Sequence, residues 1–400
     1  MANREMTDGG KNSRPVCGML LHAYYVRDPR VQREARALRE AGWRVKVICL
    51  NEGSEAVRED VDGVEVIRCN MGRSKVRSKL NYVLEYLNFI VRSFFRILAE
   101  EFRERHDVVI VHNMPNALVF SALGPRLRGC PVVLDMHDAA PEVFASLFGL
   151  NSAFWQRILA LEERLAMSFA SGLITVNRGV EKVFRKRHPK AEFLLLHNSP
   201  SSEHLRQAPV PDYDGDDVFR IVFHGFVHER YGLHRLIGMF PELESRGVRA
   251  TLDVHGDGPY MDSVVALASE LGLTDVVSFH GRFQPEDLAA FLSGKHLGVA
   301  LYYKDDLGDL LLPVKILEYI QAGLPVLSSN LATVQEYFDD ESVCLFETDE
   351  ELLAQIVNIA NDYAAARRRV IKAREIGAQI AWEREASSYV EYLGKLCNIA

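Results

Sequence analysis

The stretch 305–330, DDLGDLLLPVKILEYIQAGLPVLSSN, places a lysine and a glutamate three residues apart, at Lys315 and Glu318. Pro313 and Gly323 favour a short helix between them, so both charges share one helix face. The free N–H groups at its start and the Lys315 ammonium would bind phosphate, and the Glu318 carboxylate would accept hydrogen bonds from ribose. The alternative is a surface helix with a weak ion pair, and the stretch alone does not decide between the two.

Two other turns in the second half of the chain follow predicted strands. His224-Gly225-Phe226 comes after one apolar run, and His255-Gly256-Asp257 comes after the next. Gly225 permits close approach of the backbone to a ligand, and Arg230 is able to bind a phosphate with two N–H groups. Carboxyl ends of parallel strands meet at one edge of a sheet, so these groups are expected to share a crevice.

The first half of the chain offers polar groups at comparable places. The loop after the first apolar run contains Tyr25, Arg27 and Asp28, and it is a candidate substrate wall, although charged loops are usually only solvated. Two later strands lead into His112-Asn113 and into His137-Asp138. A neutral imidazole there would donate to a sugar hydroxyl, whereas a single histidine is more often structural.

The elements that must position these residues form two α/β series. Apolar runs predict strands at Val16–Leu21, Val45–Leu50, Val64–Ile67, Val108–Val111, Val132–Asp135, Leu173–Val176, Phe193–Leu196, Arg220–Phe223, Thr251–Val254, Val276–Phe279, Gly298–Leu301, Val326–Ser328 and Val343–Phe346. Asp28 and Pro29 mark the start of a helix. The polar, proline-containing segment Ser199–Asp217 is interpreted as a linker. We therefore predict a disordered N-terminus at 1–14, a first domain at 15–205 joined by a final helix at 381–400, and a second domain at 206–380.

A long amphipathic helix is predicted between the third and fourth strands. Its apolar stripe contains Leu84, Leu87 and Val91, and basic residues precede it at Arg73, Lys75, Arg77 and Lys79. A basic start and an aromatic-rich stripe are typical of a helix that docks on an anionic membrane. Packing of the stripe on the sheet is the favoured alternative, because most amphipathic helices pack that way.

Composition narrows the class of protein. A net charge of −8 argues against general nucleic-acid binding, and the hydrophobic share of 48% is that of a globular protein. The six cysteines are scattered without metal-ligand spacing, which favours a reducing cytoplasm and no structural zinc. The first thirteen residues are polar, and no apolar run is long enough to span a bilayer.

The chain resembles the GT-B glycosyltransferases, and among them the retaining enzymes of glycosyltransferase family 4. The resemblance covers nearly the whole chain from about residue 16 and is carried by DPRVQREARALREAGWRVKVI, VHNMPNALVF, LDMHDAAPEVF, LITVNRGVEKVF, FHGFVHERYGLHRLI, VHGDGP, VSFHGRFQPEDLAAFLSGKHLGVAL and PVKILEYIQAGLPVLSS. It implies an α/β protein with two Rossmann-like domains facing each other across a cleft, and a C-terminal helix that crosses back to the N-terminal domain.

The resemblance also implies an activity and a set of site residues. The expected reaction moves a sugar from a nucleotide diphosphate sugar to a hydroxyl with retained configuration, without metal or cofactor. Its catalytic residues would be His137, Arg230 and Lys315. The donor would be bound by Gly225, Arg230, Gly256, Asp309, Lys315 and Glu318, and the acceptor side would contain Tyr25, Arg27, Asp28, His112, Asn113 and Asp138.

The chain departs from the family pattern at several positions. Leu310 stands where a second glutamate is usual, with Asp309 beside it, and Phe226 and Tyr231 replace an arginine and a lysine. Two functions therefore stay open: an active enzyme of cell-surface polysaccharide, glycolipid or glycan assembly, and a catalytically silent protein that binds a nucleotide sugar or a partner enzyme. A sugar-nucleotide epimerase is a weaker third. Expected partners are the donor and a saccharide or lipid-linked acceptor, in the cytoplasm, with association at the inner membrane face and oligomeric state left open.

Overall fold

A computed structural model describes residues 14–53, 55–71, 79–149, 152–200, 205, 210–215, 217–284 and 287–399. Contacts divide the chain into two compact units. The first unit contains the described residues of Met1–Ile174, Lys190–Leu194 and Ala386–Ala400, and the second contains those of Thr175–Pro189 and Leu195–Glu385. The domain boundaries expected from the sequence stay a prediction.

The described elements alternate between strand and helix along most of the chain. The strands are β1 (Val16–Leu21), β2 (Arg44–Leu50), β3 (Arg58–Val61), β4 (Val64–Cys69), β5 (Val108–His112), β6 (Val132–Met136), β7 (Gly172–Thr175), β8 (Leu194–Leu195), β9 (Phe219–Phe226), β10 (Ala250–Asp257), β11 (Val277–Phe279), β12 (Leu297–Ala300), β13 (Val326–Ser329) and β14 (Cys344–Phe346). The helices are α1 (Pro29–Glu40), α2 (Lys79–Arg103), α3 (Leu123–Leu127), α4 (Ala140–Phe148), α5 (Ala153–Phe169), α6 (Arg178–Arg187), α7 (Leu233–Gly238), α8 (Phe240–Ser245), α9 (Met261–Glu270), α10 (Leu288–Leu292), α11 (Val314–Ala322), α12 (Ala332–Gln335), α13 (Asp349–Asn361), α14 (Tyr363–Gln379) and α15 (Trp382–Cys397). Short 3-10 helices lie at Tyr25–Arg27, Asn116–Ala122, Glu229–Tyr231 and Gly308–Leu310.

The first sheet has the strand order β3-β4-β2-β1-β5-β6-β7-β8. Its central pairs are parallel, and the polar strand β3 joins the edge antiparallel to β4. Strand β1 is buried along its whole length, as its continuous apolar sequence predicts. Asp28 caps α1 by accepting the N–H of Val31, which confirms the predicted helix start. The carboxyl ends of β1, β5 and β6 therefore lie side by side.

The second sheet has the order β11-β10-β9-β12-β13-β14, and all its pairs are parallel. Its central strand β9 packs Phe219, Ile221 and Phe223 into the core of the unit. Strands β9 and β10 pair over eight positions, up to their polar ends at residues 224–226 and 255–257. The two glycine-containing segments that the sequence indicates as turns are therefore the last paired residues of β9 and β10.

The thirteen predicted strands all overlap observed ones, and β3 was missed. Its sequence, REDV, is polar and mostly exposed, so it lacks the apolar run by which an inner strand is recognised. The last helix, α15, groups mainly with the first unit, where the hydroxyl of Tyr389 donates to Glu34.

The favoured interpretation of the long helix, that its apolar stripe packs on the protein, holds for only part of the stripe, since Phe94 and Leu98 are half-buried. Helix α2 packs inward through Phe89, Ser93 and Ile97, whereas Leu84 and Leu87, which belong to the predicted stripe, are more than half exposed. The packing side of the helix mixes polar and apolar residues, so the more apolar side of the sequence pattern is not the buried one. The basic residues Arg73, Lys75 and Arg77 and the N-terminus 1–13 lie outside the described residues.

Within the described ranges, no helix is both long enough and apolar enough to cross a bilayer.

Candidate functional site

Helix α11 carries the lysine–glutamate pair of the second unit and begins after Pro313. Lys315 lies in its first turn and is 7% exposed. Its Nζ lies 4.0 Å from the ring centroid of Phe223. The ring centroids of Tyr302 and Tyr231 lie 5.5 Å and 5.7 Å from the same nitrogen. Three aromatic faces therefore surround one buried ammonium.

Glu318 is the carboxylate whose charge acts on Lys315, and it lies beyond ion-pair distance. No carboxylate among the described residues lies within ion-pair distance of its Nζ, and burial lowers the pKa of the lysine to about 7, with Glu318 acting in the opposite direction. Gly225 of β9 lies beside this nitrogen, because a Cβ atom on it would be 3.7 Å away. An anion that bound beside Gly225 would supply the missing negative charge.

Glycines bring the ends of β9 and β10 close together. Gly225 and Gly256 are register partners with φ angles of 109° and 154°. A Cβ atom on Gly256 would lie 1.8 Å from the carbonyl oxygen of Gly225, so no larger residue fits without displacing the backbone. This strand end therefore presents bare backbone next to Lys315.

Glu318 lies one turn beyond Lys315, and its Oε2 is 3.3 Å from Nε2 of His224. Burial, followed by Lys315 and His255, lowers the pKa of His224 well below its usual range. The contact is therefore between a carboxylate and a neutral imidazole and not an ion pair. The glutamate side chain keeps 18% exposure, so part of it is available to a ligand.

Two other residues that were predicted to bind the sugar donor, Arg230 and Asp309, make contacts within the protein. Arg230 forms an ion pair with Asp305, whose Oδ1 also accepts the N–H of Gly308 at 2.7 Å. Asp309 accepts the N–H of Ala332 at 2.8 Å, at the start of α12. Both contacts organise the loop before α11, so Asp309 has a visible structural role and Arg230 is tied to the same loop.

A buried charge cluster lies at the carboxyl ends of β5 and β6 in the first unit. Nδ1 of His112 lies 2.8 Å from one carboxylate oxygen of Asp135, and Nδ1 of His137 lies 3.2 Å from the other. The two imidazoles are nearly parallel, with centroids 6.0 Å apart. Their Nε2 atoms have no hydrogen-bond partner among the described residues. His112 is fully buried and His137 keeps 9% exposure, so His137 is the nearer of the two to the surface, although its Nε2 atom is itself buried.

Helix α1 adds three charged groups to this cluster. Burial and Asp135 raise the pKa of Glu34 to about 7. Burial would lower the pKa of His112, but Glu34 and Asp135 raise it above its usual value. Burial would raise the pKa of Asp28, but Arg30 and His137 lower it. These residues are close enough to share charge and protons as one network.

Of the other residues predicted to lie on the side of the sugar acceptor, some join this charge cluster and some do not. Asn113 joins the two strand ends, because its amide donates to the carbonyl of Asp138 at 2.8 Å and its Oδ1 accepts the N–H of His137 at 3.0 Å. Tyr25 and Arg27 are not brought to the cluster. The backbone carbonyl of Tyr25 accepts from Gln32, and Arg27 pairs with Glu52.

Among the residues that the structure describes, two groups of side chains offer ligand atoms within 4.8 Å of one another, as a metal ion would require. They are His112, Asp135 and His137 in the first unit, and Asp253, His255 and His280 in the second. In the second group, Asp253 already pairs with Lys295 at 2.5 Å, and the two imidazoles are stacked face to face. The other oxygen of Asp253 lies 2.7 Å from Nε2 of His280, so both of its oxygens are already engaged within the protein.

The sequence reasoning missed Glu34, Asp135 and the aromatic rings around Lys315. A charged residue inside an apolar strand, as in VVLDM at 132–136, is a signal for Asp135, since a buried carboxylate needs partners. Glu34 and the aromatic rings carry no such signal, because their neighbours come from distant parts of the chain.

Models of known protein families match both halves of the chain. A family model described as a glycosyl transferase 4-like domain matches residues 28–199. A second, described as glycosyl transferases group 1, matches residues 218–362. Together they cover most of the chain, including the charge cluster of the first unit and the Lys315 site of the second.

Solved structures show the same fold. Sucrose-phosphate synthase from Thermosynechococcus elongatus is similar with a TM-score of 0.75 and 18% identity, over 96% of this chain and 99% of that one. HepE from Anabaena, in complex with UDP and glucose, has a TM-score of 0.69 and 15% identity, over 96% and 100%. WaaG, a glycosyltransferase involved in lipopolysaccharide biosynthesis, has a TM-score of 0.68 and 18% identity, over 94% and 99%. With two α/β units built on mainly parallel sheets, the chain has the two-domain fold of the GT-B glycosyltransferases, and each of its halves matches a glycosyl transferase domain.

Proposed function

We propose that the protein is a retaining glycosyltransferase that transfers a sugar from a nucleotide diphosphate sugar to a hydroxyl of a saccharide or lipid-linked acceptor. The observation that carries this proposal is the Lys315 ammonium, which is buried among aromatic rings beside the bare backbone of Gly225. Such a charge is costly without a counter-charge, and a diphosphate provides one. Glu318, on the same helix, would accept hydrogen bonds from the ribose.

The reaction breaks the bond between the anomeric carbon and the β-phosphate oxygen. The acceptor hydroxyl forms its new bond on the same face of the sugar, and its proton passes to the departing diphosphate. Negative charge therefore grows on the β-phosphate in the transition state. Lys315 and the free N–H groups at the start of α11 stabilise that charge without having to reorganise.

The first unit contributes His137 on the acceptor side. Asp135 holds the Nδ1 side of the imidazole, so that Nε2 is directed away from the carboxylate. In this orientation Nε2 contacts a sugar hydroxyl. Asn113 supports the arrangement by accepting the N–H of His137.

Several finer assignments belong to this proposal. UDP is the first donor nucleotide to test, because the similar protein HepE was solved with UDP and with UDP-glucose. Assembly of cell-surface polysaccharide, glycolipid or glycan is the proposed context, in line with the lipopolysaccharide enzyme WaaG. All six cysteines are free, which fits the cytoplasm. Transfer is proposed to need no metal, so activity should survive a chelator.

A catalytically silent nucleotide-sugar binder is the second candidate. It is favoured by Phe226 and Tyr231, which stand where cations are usual in the family, and by the ion pair that already engages Arg230 with Asp305. Fold alone does not decide between binding and catalysis.

The test is a panel of UDP-, GDP-, ADP- and TDP-sugars, read first by thermal shift and then by release of free nucleotide. A ligand that binds only the native state raises the melting temperature by mass action. Stabilisation by one nucleotide class together with nucleotide release supports the enzyme. Stabilisation without any transfer or hydrolysis supports the silent binder, and no stabilisation by any member contradicts both.

A further inference from the structure

Helix α2 exposes an apolar side to solvent. Leu84, Leu87, Val91 and Phe95 are 53–63% exposed and follow one another at three- and four-residue intervals, so they lie along one side of the helix. The opposite side holds the fully buried Phe89. The helix is thus amphipathic in the unusual sense that large apolar side chains face outward.

The exposed apolar surface continues over α5. Its residues Phe154, Ile158, Leu161 and Leu165 are 40–64% exposed and repeat at intervals of four, three and four. The buried side of this helix holds Glu163 and other residues that face the unit. Two helices of one unit therefore share the same inverted arrangement.

The two helices belong to one layer. The 3-10 helix Asn116–Ala122 lies between them, since Ser121 donates to the carbonyl of Ile90 on α2 at 2.9 Å, and Asn116 donates to Glu162 on α5 at 2.9 Å. Helix α3 follows directly and exposes 78% of Leu127. The exposed sides of α2, α3 and α5 are here called the apolar face.

The charges around the apolar face are segregated by sign. On α2, α3 and α5, every charged side chain that the structure describes as exposed is an arginine: Arg92, Arg103, Arg157 and Arg164. Of the carboxylates on the same helices, Glu100, Glu101 and Glu163 are buried, and Glu85 and Glu162 are half-buried. The face is therefore locally cationic on a chain whose net charge is −8.

We propose that the apolar face docks on the surface of an anionic lipid bilayer. Large apolar and aromatic side chains enter the boundary between headgroups and acyl chains, while the arginines bind lipid phosphates. A second copy of the chain is a poorer occupant, because a two-fold contact would bring arginines against arginines. The proposal concerns surface attachment and goes beyond the transfer reaction, so it stands whether or not the chain is catalytic.

The experiment is co-sedimentation of the full chain with vesicles of phosphatidylcholine, with and without phosphatidylglycerol. We expect binding only to the anionic vesicles and release at high salt. The variants Leu87→Gln/Phe95→Gln and Arg157→Glu/Arg164→Glu should each weaken binding ~10-fold or more. The matched controls on the second unit, Ile371→Gln and Arg368→Glu, alter equally exposed positions and should bind as the wild type does.

Three results would overturn the proposal. The wild type binds neither kind of vesicle, or it binds both equally, or the face variants bind as tightly as the controls. Light scattering is measured alongside: a dimer that the apolar variant abolishes, without vesicle binding, would make this face a contact between copies. Melting temperature and donor binding, which should not change in the variants, show that any loss is not a loss of folding.

Discussion

The Lys315 ammonium loses most of its hydration among three aromatic rings, and burial lowers its pKa to about 7, compared with 10.5 for an ordinary lysine. Between these values the unfolded chain holds a proton that the folded chain lacks. The contribution of this group to the free energy of unfolding therefore rises with pH in that window. Donor binding has the opposite effect on Lys315, because the negative charge of a diphosphate favours the protonated form of the lysine.

Donor affinity should consequently fall as the pH rises above 7, by at most about tenfold per pH unit for a single proton. The measurement is isothermal titration of a nucleotide sugar from pH 6 to pH 9 in buffers of different ionisation enthalpy, which reports proton uptake directly. A nucleotide sugar is a better probe than the free nucleotide, since its diphosphate is esterified at both ends. A donor affinity that does not change between pH 6 and pH 9 would show that Lys315 does not contact the phosphate.

Glu318→Gln keeps the size of the side chain and removes its charge. If the carboxylate accepts from ribose, donor binding should weaken by ~1.5–3 kcal/mol, the value of a hydrogen bond to a charged group. Calorimetry on the folded variant measures this. Glu375→Gln, at an exposed position on α14, is the matched control and should leave the dissociation constant unchanged. An equal donor dissociation constant in both variants would show that Glu318 does not contact the donor.

His137→Ala tests the acceptor side. The imidazole is expected to act in the transition state, so kcat should fall more than donor affinity does. Asp135→Asn leaves the imidazole in place but removes the carboxylate behind it, and it should lower kcat in the same direction by a smaller factor. Wild-type turnover in the His137 variant with the true acceptor would make this histidine structural.

At the scale of elements, the loop before α11 is tied to the 3-10 helix Glu229–Tyr231 by Arg230 and Asp305. Arg230→Ala should reduce kcat by ~10²-fold if the guanidinium also stabilises the leaving phosphate. Asp305→Asn breaks the same tie without removing the cation, so it should cost much less. Steady-state kinetics on both variants separates the roles: equal losses would show that Arg230 only holds the loop.

The elements also show what a sequence can and cannot reveal. Strands such as β1 and β5 were predicted almost to the residue because buried parallel strands are continuous apolar runs. The orientation of α2 was not, since its packing side contains Ser93 and Glu100 while Leu87 faces out. Which side of a helix is buried depends on what covers it, and that is decided by distant parts of the chain.

The candidate site was predictable to a similar degree. Lys315, Glu318, His112 and His137 follow from their places at strand ends and on one helix. The partners that set their chemistry do not: Phe223, Tyr302 and Tyr231 meet Lys315 from three separate segments, and Glu34 meets His112 across two elements. Local spacing predicts a residue's position, whereas its pKa depends on tertiary contacts.

At the scale of the molecule, two α/β units are each built on a parallel sheet, and each matches a glycosyl transferase domain. The second carries the cation and carboxylate suited to a nucleotide diphosphate. The first carries a histidine cluster suited to hydroxyl groups, and its outer layer carries the apolar face. The central claim is therefore that the second unit binds the donor and the first unit binds the acceptor, and that transfer retains the anomeric configuration.

The measurement that tests this claim most directly is the anomeric configuration of the transferred sugar. With the donor identified by the panel, proton NMR of the early product resolves the anomeric signal and its coupling constant before any rearrangement. We predict the same configuration in product as in donor, and loss of the product in Lys315→Ala while a cooperative melting transition shows that the variant is folded. An inverted product, or full transfer by the Lys315 variant, would contradict the proposed mechanism.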